Sequence, residues 1–450
     1  MMVFDVAIIG GGPVGLAAIQ TLAPSGMKVV LFEKNKVGGT CLNEGCMPTK
    51  SLLHSANVFS TTQTANQFGV HVEQASYNYQ EVVTRKDQLI DALFKGTTQK
   101  VEMSGVTFVQ AEAQLNGESS EGLIQILANN NTYQARKVII GSGSVNLVPP
   151  IPGLKESSFI SSREALQLTE VPKTLTVIGG GVLGMEFASL FSTFGSKVDL
   201  IEMSDEILPT FDPELAGELR KYYESRGIVF HIGAKAEKIS NKTITVSKNG
   251  ETYELTNDLI LLAVGRKPAI ETLGLESLNV KTKKGAIEVN EQMQTSHPNI
   301  YACGDSIGGS MLAHTGLQEG AIAAMGILGM DAKVNYKAIP SAVYTNPELA
   351  SVGYQECELQ EEGIPYEVVK APMAVSGRFV LDNTMDTPGL FKAFIHKESQ
   401  EILGIHLLGN PASELIAIGG MAIAQKMTVD QLRSNVFPHP TVSAIFSHAF

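Results

Sequence analysis

Two stretches of this chain repeat one arrangement, and that arrangement restricts the fold more than any other feature. Residues 3–9 (Val-Phe-Asp-Val-Ala-Ile-Ile) are a short apolar run suited to a central parallel strand, and Gly10-x-Gly12-x-x-Gly15 follows at once, leading into helical spacing. A second apolar run, Lys28-Val-Val-Leu-Phe32, ends in Glu33. The same order recurs as residues 174–178, then Gly179-x-Gly181-x-x-Gly184, then Lys197-Val-Asp-Leu-Ile201 ending in Glu202. In such a unit the first glycine permits the tight turn, the second lets a phosphate approach the backbone, and the third allows helix to pack closely on strand. The pyrophosphate then sits at the positive end of the helix, and the acidic residue holds ribose hydroxyls. The first glycines lie 169 residues apart, which is a duplicated domain type and not a short solenoid repeat. Two dinucleotides are implied.

Glu202 bears on which nucleotide the second unit takes. A carboxylate there accepts hydrogen bonds from a free ribose 2′-hydroxyl and repels a 2′-phosphate. Met203, Ser204 and Asp205 follow, with no arginine to receive that phosphate, so the second site is read as one for NAD rather than NADP. The blander alternative is that Glu202 only caps an exposed strand end.

Only four cysteines occur in 450 residues, which is not a secreted disulfide framework. Two of them, Cys41 and Cys46, stand five positions apart, directly after the first unit. On a helix start that spacing is a little over one turn, so the thiols are able to face each other and close a small ring. A helix N-terminus also lowers a thiol's pKa, and the thiolate is the reactive form. In isolation a pair so spaced is more often two unrelated core cysteines; its place directly after a dinucleotide unit reverses the balance in favour of redox chemistry. Zinc is not expected, because the spacing is wrong and no second ligand pair accompanies it.

The remaining composition excludes other classes. A formal charge of −12 and no basic run argue against sequence-independent nucleic-acid or anionic-membrane binding. No apolar run approaches the ~18 residues of a membrane span. The first residues lack the positive region of a signal peptide, so a soluble, cytoplasmic protein is expected.

Taken together, Gly39-Thr40-Cys41-x4-Cys46-Met-Pro-Thr-Lys50, the two glycine fingerprints, Gly265-Arg266-x-Pro268, Tyr301-Ala-Cys-Gly304-Asp305, Met311-Leu-Ala-His314 and His439-Pro440-Thr441 closely resemble the pyridine nucleotide-disulfide oxidoreductase family, and within it the dihydrolipoamide dehydrogenases. The resemblance runs the full length in the family's order. It implies an α/β fold with two doubly wound dinucleotide-binding domains, for FAD (1–150) and NAD (151–272). A central segment (273–335) would complete the FAD site, and a C-terminal α+β dimerisation domain (336–450) would make a homodimer with active sites shared across the interface.

The resemblance also implies roles. Cys46 would be the flavin-side sulfur that forms the charge-transfer thiolate, and Cys41 the sulfur that exchanges with substrate. Thr40 and Lys50 would lie at the flavin, with Glu186 as the ion-pair partner of Lys50. Asp305 would bond the ribityl chain of FAD, Met311, Leu312, Ala313 and His314 would border the isoalloxazine, and Ala113 would touch the adenine end. Gly265 would stand where the NAD domain returns to the flavin. His439, reaching into the neighbouring subunit, would take the proton from the substrate thiol, a task that suits an imidazole. The implied partners are lipoamide or a lipoyl carrier protein, as in a 2-oxo acid dehydrogenase or glycine cleavage complex. Cys303 and Cys357 have no role in this scheme.

The sequence departs from the family's pattern mildly at Ile140-Gly141-Ser142-Gly143, where Ser142 keeps a hydroxyl, and more seriously after His439. That pattern continues after the histidine to a glutamate, and here Thr441-Val442-Ser443 leads to Ala444 with no carboxylate before Phe450. A weaker base and a changed pH profile are expected. The departure keeps two other readings open: an NADH-dependent reductase of another small disulfide, and a weakly active flavoprotein serving as redox sensor or scaffold. A C-terminal cysteine pair, which mercuric reductase and the large thioredoxin reductases would need, is not present in the sequence.

Overall fold

The computed structural model describes residues 3–450. These divide into two compact units, each discontinuous in sequence. The first comprises the chain through Thr49, Thr84–Leu147 and Gly265–Val334; the second comprises Lys50–Val83, Val148–Val264 and Asn335–Phe450.

The first unit is built on a seven-stranded sheet. Its order is Thr107–Gln110, Val29–Glu33, Val3–Ile9, Asn131–Ile140, Ile124–Ala128 and Ala113–Glu118, with Ile300–Ala302 also paired to Asn131–Ile140. The central pairings are parallel, and Ile9, Phe32 and Ile140 end in register. The strand residues alternate between two cores, which is why the runs are apolar at every position. Ala7, Ile9, Val30 and Phe32 join one core, whereas Val6, Ile8, Val29 and Leu31 join the other with helix residues Ala18 and Leu22. The second strand starts and ends one residue later than the apolar run suggests: Glu33 is inside it, paired with Gln110 and buried.

The second unit repeats the theme. A parallel sheet runs Val229–Ile232, Lys197–Glu202, Thr174–Ile178, Leu259–Leu262 and Phe159–Ile160. On one face lies helix Val182–Thr193, contributing Met185, Phe187 and Phe191. On the other, Ile178, Ile201 and Ile260 pack with Ala234, Ile244 and Val246 of a three-stranded antiparallel sheet. The C-terminal part of this unit is a five-stranded antiparallel sheet, ordered Ser341–Val343, Leu349–Gly353, Ile402–Leu408, Leu390–His396 and Tyr366–Pro372, covered by helix Ala412–Ala424. These α/β halves and the antiparallel C-terminal sheet are the expected fold class. No helix among the described residues is long and apolar enough to cross a membrane.

Candidate redox and nucleotide sites

The two glycine loops share the same local features. Gly10 has φ 108° and Gly179 φ 107°, left-handed backbone that a side chain rarely adopts. Each loop is tied to the neighbouring strand, Gly10 N–H to Phe32 O and Gly179 N–H to Ile201 O, both at 2.8 Å. A Cβ at Gly15 would overlap the Gly10 carbonyl, and one at Gly184 the Gly179 carbonyl. Gly12 and Gly181 are the N-caps of Pro13–Leu22 and Val182–Thr193, and no side chain caps either helix. Both helix ends are therefore shaped for an anion.

The acidic residues belong to the same construction. Glu33 accepts hydrogen bonds from the amides of Gly11 and Asn35, each at 2.7 Å. Glu202 accepts from Gly180 at 2.6 Å and Ser204 at 2.7 Å. Each carboxylate thus holds its glycine loop against the end of the second strand. Near the first loop, the buried hydroxyl of Ser142 and the side-chain carbonyl of Asn43 have no hydrogen-bond partner among the described residues. Unsatisfied polar atoms beside a glycine cradle are what a bound dinucleotide would complete, so the residues fit FAD.

Cys41 and Cys46 form a disulfide. They do not share one helix: Cys41 lies in Gly39–Glu44, the helix is interrupted at Gly45, and Cys46 opens Cys46–Thr64. On an unbroken helix five positions would rise about 7.5 Å. The break brings the two Cα atoms to 4.6 Å. Asn43 pins this segment by donating to the carbonyls of Val37 and Gly39, and Gly38 N–H bonds Gly11 O at 2.8 Å, fixing the disulfide segment to the first glycine loop. Thr40, beside Cys41, is exposed.

Lys50 is the fifth residue of the helix that Cys46 begins. Its Nζ donates to both carboxylate oxygens of Glu186 at 2.9 Å. The Glu186 side chain is fully buried and that of Lys50 is 30% exposed.

Asp305 accepts a short hydrogen bond from the Ser144 hydroxyl. Arg266 donates in turn to Ser144 Oγ and Ser144 O, both at 2.7 Å, and to Asn146 Oδ1 at 2.5 Å. The strand Arg266–Pro268, paired to Ser144–Asn146, thus fixes the aspartate. Met311 has φ 49°, and Leu312 is the N-cap of helix Ala313–Ile327, again without a side-chain cap. His314 is exposed in its first turn. Ala113 is buried at the start of its strand, and Gly265 has φ 105° with its carbonyl accepting from Leu147 N–H.

His439 is exposed and makes no hydrogen bond or ion pair among the described residues of the chain. The turn after it is held by hydroxyls: Thr441 Oγ1 bonds Pro438 O at 2.7 Å and Ser443 Oγ at 2.8 Å, and Ser376 Oγ donates to Thr441 O. Ala444 is buried in this turn. Cys303 is a buried free thiol whose pKa burial pushes well up, and Cys357 is exposed. No cluster of metal-ligating side chains occurs among the described residues. The Arg266–Ser144 support of Asp305 and the ring of Tyr344, 4.5 Å from Lys50 Nζ, had no signal in the sequence reading.

A model described as pyridine nucleotide-disulphide oxidoreductase matches residues 4–320, and the dimerisation domain of the same family matches 339–450. The chain is 35% identical to a dihydrolipoyl dehydrogenase of Bacillus subtilis over 99% of its own length and 97% of the relative's. It is 36% identical to one from Staphylococcus aureus, over 99% and 95%. Among solved structures, the HOCl-induced flavoprotein disulfide reductase RclA of Escherichia coli, solved as a Cu(II) complex, has a TM-score of 0.86 at 28% identity, covering 98% of each chain. LpdA of Mycobacterium tuberculosis shares the fold, with a TM-score of 0.89 at 24% identity over 99% and 98%. The matched family and its dihydrolipoyl dehydrogenases use FAD and NAD(H) as cofactors. The chain belongs to the pyridine nucleotide-disulphide oxidoreductase family and is an NAD-linked flavoprotein disulfide oxidoreductase.

Proposed function

We propose that this enzyme oxidises a dithiol of the dihydrolipoamide type with NAD+ as acceptor, working as a homodimer. The observation that carries the reading is full-length identity of 34–36% to dihydrolipoyl dehydrogenases, together with a disulfide at the position their pattern requires. The Glu202 carboxylate at the second glycine loop favours NAD over NADP.

When bound, FAD relays two electrons between the cysteine pair and the nicotinamide. The chain's own part begins with thiol exchange. A substrate thiolate attacks Cys41 Sγ, the Cys41–Cys46 bond breaks, and Cys46 leaves as thiolate. The second substrate thiol gives its proton to His439 of the partner subunit and attacks the mixed disulfide. The substrate leaves as a disulfide and Cys41 is released. Two electrons have then passed from the dithiol to the pair, and reoxidation of the pair delivers them to NAD+, giving NADH and a proton. Lys50, held by Glu186, supplies a positive charge beside the flavin. Glu33 and Asp305 hold the FAD ribose and ribityl groups, while Gly10, Gly12 and Gly15 seat its pyrophosphate. Gly179, Gly181 and Gly184 do the same for NAD. The dithiol is carried on lipoamide itself or on a lipoyl arm of a 2-oxo acid dehydrogenase or glycine cleavage complex.

Ala444 favours a second reading. Without a carboxylate to orient His439, oxidation of dithiols is slow, and the enzyme instead reduces another small disulfide with NADH; the 28% identity to a flavoprotein disulfide reductase supports it. An anaerobic spectral titration of the flavoprotein with dihydrolipoamide, followed by NAD+, separates the two. A long-wavelength shoulder in the flavin spectrum and then NADH support the first reading. Reduction by NADH but not by dihydrolipoamide overturns it in favour of the second.

A further inference from the structure

The ion pair of Lys50 and Glu186 has a third member. Glu186 is a fully buried anion, and such a charge persists only if its oxygens are satisfied. Among the described residues Oε2 accepts only from Lys50, whereas Oε1 accepts from Lys50 at 2.9 Å and from the backbone N–H of Tyr344 at 3.1 Å. The side chain of the same residue meets the cation: Lys50 Nζ lies 4.5 Å from the centroid of the Tyr344 ring, within cation–π range. Tyr344 therefore touches the anion through its main chain and the cation through its ring.

The ring's position is itself built. Tyr344 follows strand Ser341–Val343, whose Val343 is fully buried in the core that also holds Met185 and Phe187, the neighbours of Glu186. On its other side, Thr345 is buried with its hydroxyl bonded to Pro347 O. The Tyr223 hydroxyl bonds both the N–H and the carbonyl of Asn346, and Asn410 bonds Asn346 Oδ1 at 2.7 Å. A residue anchored at both ends presents its ring at a fixed place. Burial and the carboxylates of Glu348, Glu186 and Glu414 push the Tyr344 phenol pKa up, so the ring stays neutral.

We infer that Tyr344 is a positioning residue of the redox centre: it holds the Lys50 ammonium on Glu186 in one orientation and leaves the third of its three N–H donors for the flavin. The inference rests on the proposed placement of Lys50 at the flavin, and its test separates the two. Lys50 modification by an amine-reactive reagent is measured by peptide mass spectrometry in apoprotein and holoenzyme, alongside the flavin midpoint potential. Tyr344→Leu should raise Lys50 labelling about threefold or more, the size expected from losing one cation–π contact. It should also make the flavin harder to reduce, because a positive charge favours the electron-rich form. Tyr344→Phe, which keeps the ring, should restore both. Tyr344→Met serves if the leucine variant does not fold. Labelling that stays at the parent rate overturns the positioning role. Labelling that rises with the potential unmoved upholds it and overturns the placement of Lys50 at the flavin.

Discussion

The backbone amide of Gly180 donates a 2.6 Å hydrogen bond to the carboxylate of Glu202. With Ser204 N–H on its other oxygen, the anion is held at the end of its strand and against the glycine loop. A 2′-phosphate would have to approach this fixed negative charge, and Met203 beside it is 68% exposed, with no cation to offer. The pair Glu202→Ser and Met203→Arg should therefore shift the ratio of kcat/KM for NADPH over NADH by about tenfold or more. A ratio that does not move would show that nucleotide choice is made elsewhere.

How much of this was legible in the sequence depends on where each constraint originates. Gly15 and Gly184 are legible because a side chain at either would strike backbone within the same loop, and Gly10 and Gly179 because the turn itself needs positive φ, so these requirements are local. The alternation of Val6 and Ile8 with Ala7 and Ile9 between two cores is legible as an unbroken apolar run. The helix interruption at Gly45 is not legible, because five positions of spacing look like a little over one helix turn whether or not the helix is broken between them. Tyr344, Arg266 and Lys392 lay beyond reach for another reason. Their partners Lys50, Ser144 and Asp212 stand more than a hundred residues away, and no periodicity records such a meeting.

Ala444→Glu tests what the missing carboxylate costs. Ala444 is only 6% exposed, in a turn where hydroxyls of Thr441 and Ser443 bond each other. An anion there would stabilise and orient the imidazolium of His439, and dithiol turnover should rise about tenfold. The same anion is buried where none was before, so the melting temperature should fall, by the equivalent of about 1–3 kcal/mol. Ala444→Gln, lacking the charge, should lose stability without gaining turnover. Equal turnover in all three proteins would show that His439 acts without a carboxylate.

Lys392 is a buried cation with a stability role. Its side chain is 4% exposed, and Nζ bonds Asp212 at 2.7 Å and Glu356 at 3.3 Å. Asp212 also caps helix Pro213–Glu224 through the amides of Glu214 and Leu215. Lys392→Met leaves a buried carboxylate unpaired, and urea unfolding should show a loss of about 3–5 kcal/mol. Adding Asp212→Asn removes the stranded charge while keeping a capping oxygen, so the double variant should recover part of that loss. Additive losses in the double-mutant cycle would mean the two residues are not coupled.

His406 stands opposite Lys392 on the adjacent strand and is fully buried. Its Nε2 donates to Tyr354 O at 3.0 Å, while Nδ1 has no partner among the described residues. Burial is the main cause that pushes its pKa down to about 4; the cation of Lys392 adds to the effect, and the carboxylates of Asp212 and Glu356 oppose it. An ordinary histidine in the unfolded chain titrates near ~6.5. Between those values the unfolded state binds the proton and the folded state does not, so stability rises with pH. The neutral histidine's contribution is fully present above about pH 6.5 and is lost as pH falls toward about 4, by an amount of order 3 kcal/mol. His406→Gln cannot titrate, so its melting temperature should fall less steeply than the parent's across that window. The carboxyl of Asp199, held below its ordinary value chiefly by its bond to His231, loses its contribution only at lower pH, which keeps the two effects apart. Parallel melting curves for parent and variant from pH 6.5 to 4 would show that the buried imidazole does not set the acid limit.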